Sequence, residues 1–395
     1  MAATVVLFAL VAGAQEAPKK RGFRIGPLQI SAVAPFAAGV DSNVYNTPSG
    51  IADRSFTISP TLDILLPLGR RARIKTIGGV APYYFAKEEA QRHTDAFVRT
   101  RLEVDAGPLT LFGGIARARY RQRFSLEIDE RIRRDESGHL YGVAVRLRRR
   151  ATLTASQDTL TSTFDPDAIV AGQPVSTALD RETRTRRIEL SVPLTLKTSL
   201  KPWADIIDDR FLHATAGLPP HVGSQRYAAA LEFSELAFLK GRFAAGIRHF
   251  DAGQEVPPYT GPYVSITLGI PFVKGTRFQL AAIRDVNYSA VAPTDTGFRQ
   301  TFVASTFGTT FIFELPLQLQ GRAFGGYEAA DYLQPASSAL EPRRDYAWTG
   351  GGALLRHLGE HLSLGGIAQY QHRTSTLETQ NYRKTLFGVT GDLRF

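Results

Sequence analysis

The chain has no cysteine, one methionine, two tryptophans and only nine lysines in 395 residues. Without thiols there can be no disulfides, thiolate metal centres or cysteine nucleophiles, and such a chain can cross an oxidising compartment unfolded. Long apolar runs are missing too: none approaches the ~20 residues that a helix needs to span a bilayer. There is no Walker loop, nucleophile elbow or histidine-glutamate zinc motif. A soluble propeller would repeat every ~40–50 residues, and no such repeat is found.

What is abundant is arginine, which supplies all but nine of the 47 basic residues behind a formal charge of +10. Hydrophobic content of 43% with a mean hydropathy of −0.13 resembles a soluble protein. A transmembrane barrel reads the same way, because lumen-facing polar residues dilute the lipid-facing apolar ones. The basic charge does not point to nucleic acid, since the arginines alternate with apolar residues along strands.

At the start, the apolar run 5–11 is followed by Ala12-Gly13-Ala14, a small-x-small pattern that predicts a signal peptide over 1–14, although no Lys or Arg precedes the run. Residues 15–27 are then expected as a periplasmic N-terminal segment, and 28–395 as an outer-membrane β-barrel with no plug or further domain. Read by twos, Leu28, Ile30, Ala32, Ala34, Phe36, Ala38 and Val40 share one face, which is strand periodicity. The same alternation recurs at Ile188, Leu190 and Val192, at Val264, Ile266 and Leu268, and at Phe307, Phe311 and Phe313.

The connections alternate between short ones, such as Gly107-Pro108, and long polar ones, such as 41–54, 124–138 and 158–182. Short periplasmic turns and long extracellular loops are the rule for outer-membrane barrels. Eight short and nine long connections require eighteen strands; sixteen is the other count the weaker strands allow. The fold class expected is all-β: a transmembrane antiparallel up-and-down barrel. Its last strand carries Phe387, Val389, Leu393 and Phe395 on one face, the pattern that such proteins present to the barrel assembly machinery.

With the apolar face of each strand assigned to lipid, the arginines fall on the lumen side. Arg73, Arg99, Arg101, Arg117, Arg119, Arg121, Arg123, Arg146, Arg148 and Arg187 then form a basic wall, with Phe112, Ala116, Ala118 and Tyr120 expected to face lipid. Charges beside low-dielectric walls act over long range, so this wall would attract an anionic solute or polysaccharide. Alternatively Glu103, Asp105 and the carboxylates of 127–130 neutralise it and the role is structural. No cofactor and no metal site is expected: His357 and His361 flank a tight turn, and the spacing of Asp165, Asp167 and Asp180 matches no calcium loop.

The segment Asp41-Ser42-Asn43-Val44-Tyr45 after the first strand resembles a signature of the β-barrel porin 2 family, whose members share an Asp-Ser-Asn-aromatic motif. The resemblance implies an outer-membrane conduit, often associated with exopolysaccharide export and with periplasmic export components, and it carries over no catalytic residue. The reading is therefore a porin-like, non-enzymatic channel of a Gram-negative outer membrane, surrounded by its lipid. Two rivals remain. A closed structural or adhesion barrel would fold its long loops inward. A barrel lipid hydrolase would need a Ser-His pair on the lipid face, for which alternation offers His249 and Ser265.

Overall fold

Alternation of apolar and polar residues leaves each segment with one face that must avoid water and a backbone that must be hydrogen-bonded throughout. A sheet closed on itself satisfies both demands in a membrane. The computed structural model describes residues 22–147, 150–170, 172–213, 220–234, 238–251, 258–273, 275–290, 301–333 and 343–395. Its strands are β1 (Phe23–Ile25), β2 (Leu28–Asp41), β3 (Asp53–Ile58), β4 (Thr61–Leu68), β5 (Ala72–Phe85), β6 (His93–Ala106), β7 (Leu109–Arg123), β8 (Arg131–Arg146), β9 (Thr152–Phe164), β10 (Ile169–Val170) and β11 (Gln173–Pro174). After the one-turn helix α1 (Val175–Leu179) follow β12 (Arg181–Pro193), β13 (Thr198–Phe211), β14 (His221–Phe233), β15 (Lys240–Asp251), β16 (Tyr259–Pro271), β17 (Thr276–Tyr288), β18 (Thr301–Leu315), β19 (Leu319–Leu333), β20 (Arg344–Leu358), β21 (Leu362–Ser375) and β22 (Tyr382–Arg394).

Each barrel strand pairs antiparallel with the next. β3 and β4 are two halves of one strand, both lying between β2 and β5 and parted where Pro60 has no N–H to give the ladder. β22 pairs with β2 from Val33↔Arg394 to Asp41↔Leu386, which closes an eighteen-stranded barrel with no free edge. At the bottom of this seam the backbones of Phe395 and Ala32 exchange two hydrogen bonds of 2.9 and 3.2 Å. Phe387, Val389, Leu393 and Phe395 all lie on the outer side, and the Phe36 ring covers Gly391, where a Cβ would come within 2.6 Å of the ring.

The top of the seam is clasped by the 41–45 segment. Asp41 is buried and pairs with Lys384 at 2.7 Å. The Ser42 hydroxyl accepts the Thr385 N–H at 2.8 Å, and the Asn43 amide holds both the carbonyl and the N–H of Thr47. Tyr45 donates to Glu88 at 2.6 Å. The motif thus has a complete structural account, a turn that locks the first strand to the last.

The outer wall is apolar through its middle. Ile115 is 68% exposed, and Leu111, Ile188, Ile206, Phe307 and Phe387 are similarly open, a waste in water but favourable against lipid. Short turns and both barrel-strand ends of the chain share one end, the periplasmic one; Gly107 makes its two-residue turn at φ +67°. The chain is an outer-membrane β-barrel. The long connections are shorter than expected because the strands continue past the apolar band: β8 starts at Arg131 rather than after 138, and β9 runs to Phe164. The signal-peptide span 1–14 and Arg148 lie outside the described residues. Within 15–27, Phe23–Ile25 folds back on Leu28–Ile30.

Candidate solute pathway and its constriction

Which side of a strand faces the lumen is fixed by contacts that cross the barrel. Ile132, Phe164, Phe211, Val222 and Phe250, from β8, β9, β13, β14 and β15, meet in one buried cluster, so their sides of these strands face inward. Strand pairing carries that assignment from neighbour to neighbour, because directly opposed residues point the same way.

On this basis Arg73, Lys75, Arg99, Arg101 and Arg146 line the lumen in its lower half. Arg73 and Arg101 share Glu103, with Arg73 Nε to Oε2 at 2.6 Å and Arg101 Nε to Oε1 at 2.8 Å, and Lys75 stands 3.6 Å from Asp63. Arg99 and Arg146 have no ion-pair partner among the described residues. Side chains of Arg73 (62%) and Arg101 (46%) are open to the lumen, so the wall offers charge to a solute. Arg187 also faces inward but is spoken for: Asp205 binds it at 2.7 and 3.0 Å, and Arg226 bridges Asp205 to Asp285 on β17.

The remaining arginines depart from expectation. Arg117 opposes Val98, and Arg119 opposes Ala96 and ion-pairs with Asp135 at 2.6 Å, all on the side of Leu111 and Ile115. Both are outside the barrel. Phe112 and Tyr120, expected against lipid, are inside instead: the guanidinium of Arg101 lies 4.5 Å from the Phe112 ring centre and that of Arg134 is 5.7 Å from Tyr120. Phe112 also fills the space over Gly142, where a Cβ would be 2.4 Å from the ring. An aromatic that stacks on a guanidinium and covers a glycine is as well placed in a lumen as in lipid. The signal that could have corrected the face is Leu109, Leu111 and Ile115, which share the parity of the arginines. Arg121 and Arg123 sit at the rim; Arg121 lies against the Arg131 carbonyl oxygen at 3.4 Å.

At that rim the segment 124–130 leaves β7, crosses the lumen and docks on the far wall before returning to β8. Arg123 pairs with Asp129 (2.5 Å) and with Glu328 of β19 (2.9 Å). Asp129 accepts from Arg373 of β21 at 2.8 Å, and Arg373, fully buried, also contacts Asp345 at 3.3 Å and Gln380. Glu127 accepts from the Ala290 N–H (2.7 Å) and the Ser289 hydroxyl (2.5 Å), with Arg343 at 3.5 Å. Burial raises the pKa of Glu127 above the usual carboxylate range, against the lowering pull of Ser289 and Arg343. Leu126 packs with Phe302 and Tyr332, while Ile128 joins Val175 and Leu179 of α1 in the first cluster, all three at most 1% exposed. The mouth is thereby narrowed by an apolar core, each such side chain contributing roughly 1.5–3 kcal/mol to holding it there.

The hydrolase pair is not assembled: His249 opposes Thr260, its Nδ1 2.7 Å from that hydroxyl, on the outer side, whereas Ser265 opposes Ala244 on the inner side. His357 and His361 bind Ser363 and the Arg394 carbonyl.

No family model and no curated protein matches the chain. Among solved structures it is similar to the outer membrane protein OpdK from Pseudomonas aeruginosa (10% identity, TM-score 0.48, 93% of this chain and 98% of that one). It is similar too to a BenF-like porin from Pseudomonas fluorescens Pf-5 (9%, 0.48, 94% and 100%) and to OccAB3 from Acinetobacter baumannii (8%, 0.47, 93% and 99%). Likenesses this distant carry no argument about solute, and the barrel rests on the strand pairings above.

Proposed function

We propose that the chain is a selective diffusion channel for small anionic solutes. The observation that carries this reading is the exposed basic wall of Arg73, Lys75, Arg99 and Arg101, countered in part by Asp63, Glu103, Asp105 and Asp158, below a mouth narrowed by 124–130. In such a lumen the low-dielectric wall lengthens the reach of each charge, and guanidinium groups pair in two-pronged fashion with carboxylate or phosphate. The solute would be admitted by size at the mouth and concentrated by charge beneath it. The polysaccharide exit implied by the loop resemblance fits less well, because a polymer needs a wide mouth and this one holds buried side chains.

The inward packing of Ile128, Val175 and Leu179 favours one second reading, a barrel closed at rest. Planar bilayers separate the two. Purified protein is expected to give anion-selective currents whose reversal potential under a salt gradient moves towards zero in the double variant Arg99→Gln, Arg101→Gln. A membrane that stays silent with wild type, but conducts once Asp129→Asn loosens the segment, would replace the open channel by the closed barrel.

A further inference from the structure

At the upper edge of the apolar band, one sector of the outer wall is basic. Two consecutive pairing rows cross β7, β8, β9, β12 and β13 on the outside: Ile115↔His139↔Thr159↔Arg184↔Asp208, and above it Arg117↔Ser137↔Thr161↔Glu182↔Arg210. Arg119 and Asp135 stand in the row above these, with Arg133 beyond, and Arg186 lies in the row below beside Gln157. Six arginines thus face outward against three carboxylates. Two of those acids are each shared by a pair of arginines: Asp135 by Arg119 (2.6 Å) and Arg133 (3.0 Å), Glu182 by Arg184 (3.3 Å) and Arg210 (3.2 Å). Each shared carboxylate leaves guanidinium donors spare, and Arg117 has no ion-pair partner among the described residues. These side chains are about half open, and they sit at the long-loop end, Arg184 level with Ile115, Arg186 level with Tyr141 and Ile206, and the rest above them on the same face.

We propose that this sector binds the phosphate groups of a phosphorylated glycolipid of the outer leaflet, with its acyl chains lying on the apolar residues below. Three features select a membrane lipid. The arginines are outside the barrel, where no solute passes. They overlap the upper edge of the lipid-facing side chains, Arg186 pairing with Ile206 and Arg184 level with Ile115, and rise past it, the height of headgroups rather than of bulk water. Spare guanidinium edges suit phosphate oxygens, which they bind in two-pronged fashion. The rest of the wall sharpens the point: at the same end, β19 and β20 present Tyr327, Tyr346 and Trp348 outward, side chains that settle at an interface without requiring phosphate. This assignment does not depend on what the lumen transports.

The test uses the full barrel in detergent, titrated with diphosphorylated lipid A or with the same lipid stripped of both phosphates, bound lipid being counted by native mass spectrometry. Wild type is expected to retain the diphosphorylated form at least tenfold more tightly than the stripped one. The variant Arg117→Gln, Arg119→Gln, Arg186→Gln should lose that preference, while the same three positions as lysine keep part of it. Heat-modifiable gel mobility checks that each variant is folded. The wild-type comparison of the two lipids stands even if a variant is not. Equal retention of both lipids by wild type, or an unchanged preference in a folded glutamine variant, would overturn the proposal. So would a patch whose removal alters only the number of barrels per particle, which would make it a contact between copies.

Discussion

Arg99 and Arg117 stand on neighbouring strands, one residue out of register, and face opposite solvents. Arg99 shares its side of β6 with Arg101 and Glu103 and looks into the lumen; Arg117 opposes Val98 and looks out through the wall. A third group, Arg123, Arg343 and Arg373, faces neither solvent and is held in carboxylates at the mouth. Under the two proposals above, the same residue type would serve three tasks, set by burial and by the available counter-charge: attraction where it is open and underpaired, anchorage where it is buried and paired, and headgroup contact where it lies outside. The number of arginines says nothing about which; the register decides.

The sharpest way to break this division is to remove an anchor. Arg373→Ala takes one of two cations from each of two buried acids, leaving Asp129 to Arg123 and Asp345 to Arg343, and loss of one partner of a buried pair costs up to about 3–5 kcal/mol. Segment 124–130 should be released, raising conductance and exposing it to protease from the outside. An unchanged current with the segment still protected would show that the ion pairs do not hold it.

Next is the pH response of the same segment. The Glu127 pKa is raised when the segment is packed, chiefly by burial, so the packed form binds a proton that the released form gives up. The resulting stabilisation is complete below the ordinary glutamate value, near 4.3, and is lost as pH rises through the raised one. Acidification from neutrality should tighten the mouth and lower the current, and Glu127→Gln should remove that dependence. A current that grows on acidification would contradict the sign.

Smaller effects distinguish the two open groups. Arg99→Gln with Arg101→Gln should reduce anion selectivity with little loss of stability, read from the reversal potential. Arg117→Gln with Arg119→Gln should leave selectivity unaltered and change stability by under ~1 kcal/mol, as for exposed ion pairs. Altered selectivity in the outer pair would place those side chains in the conducting path.

Much of the barrel was legible because strand alternation is local: it follows from each residue's own neighbours, and it led to eighteen strands, the turns and the outward Phe387 and Val389. Face assignment on β7 was harder. Phe112 and Tyr120 look like lipid-facing residues until Arg101, Arg134 and Gly142 are seen around them, and those come from other strands. The constriction was hidden for a stronger reason. Apart from the nearby Arg123, Glu127 and Asp129 take their partners from Ser289, Arg343 and Arg373, more than 150 residues away, so nothing near 124–130 marks it as docked across the barrel. The Asp41–Tyr45 motif was visible as a motif, but its task as a clasp on the seam depends on Lys384 and Thr385 at the other end of the chain.

The absence of native cysteine permits a direct test of the central claim that Arg99 lines the conducting path and Arg117 does not. Arg99→Cys and Arg117→Cys would be prepared separately, and single-channel current recorded before and after a charged, water-soluble methanethiosulfonate reagent. The account predicts a stepwise change in current for Arg99→Cys and none for Arg117→Cys. A response at position 117 with silence at 99 would reverse the register on which the whole assignment of arginines stands.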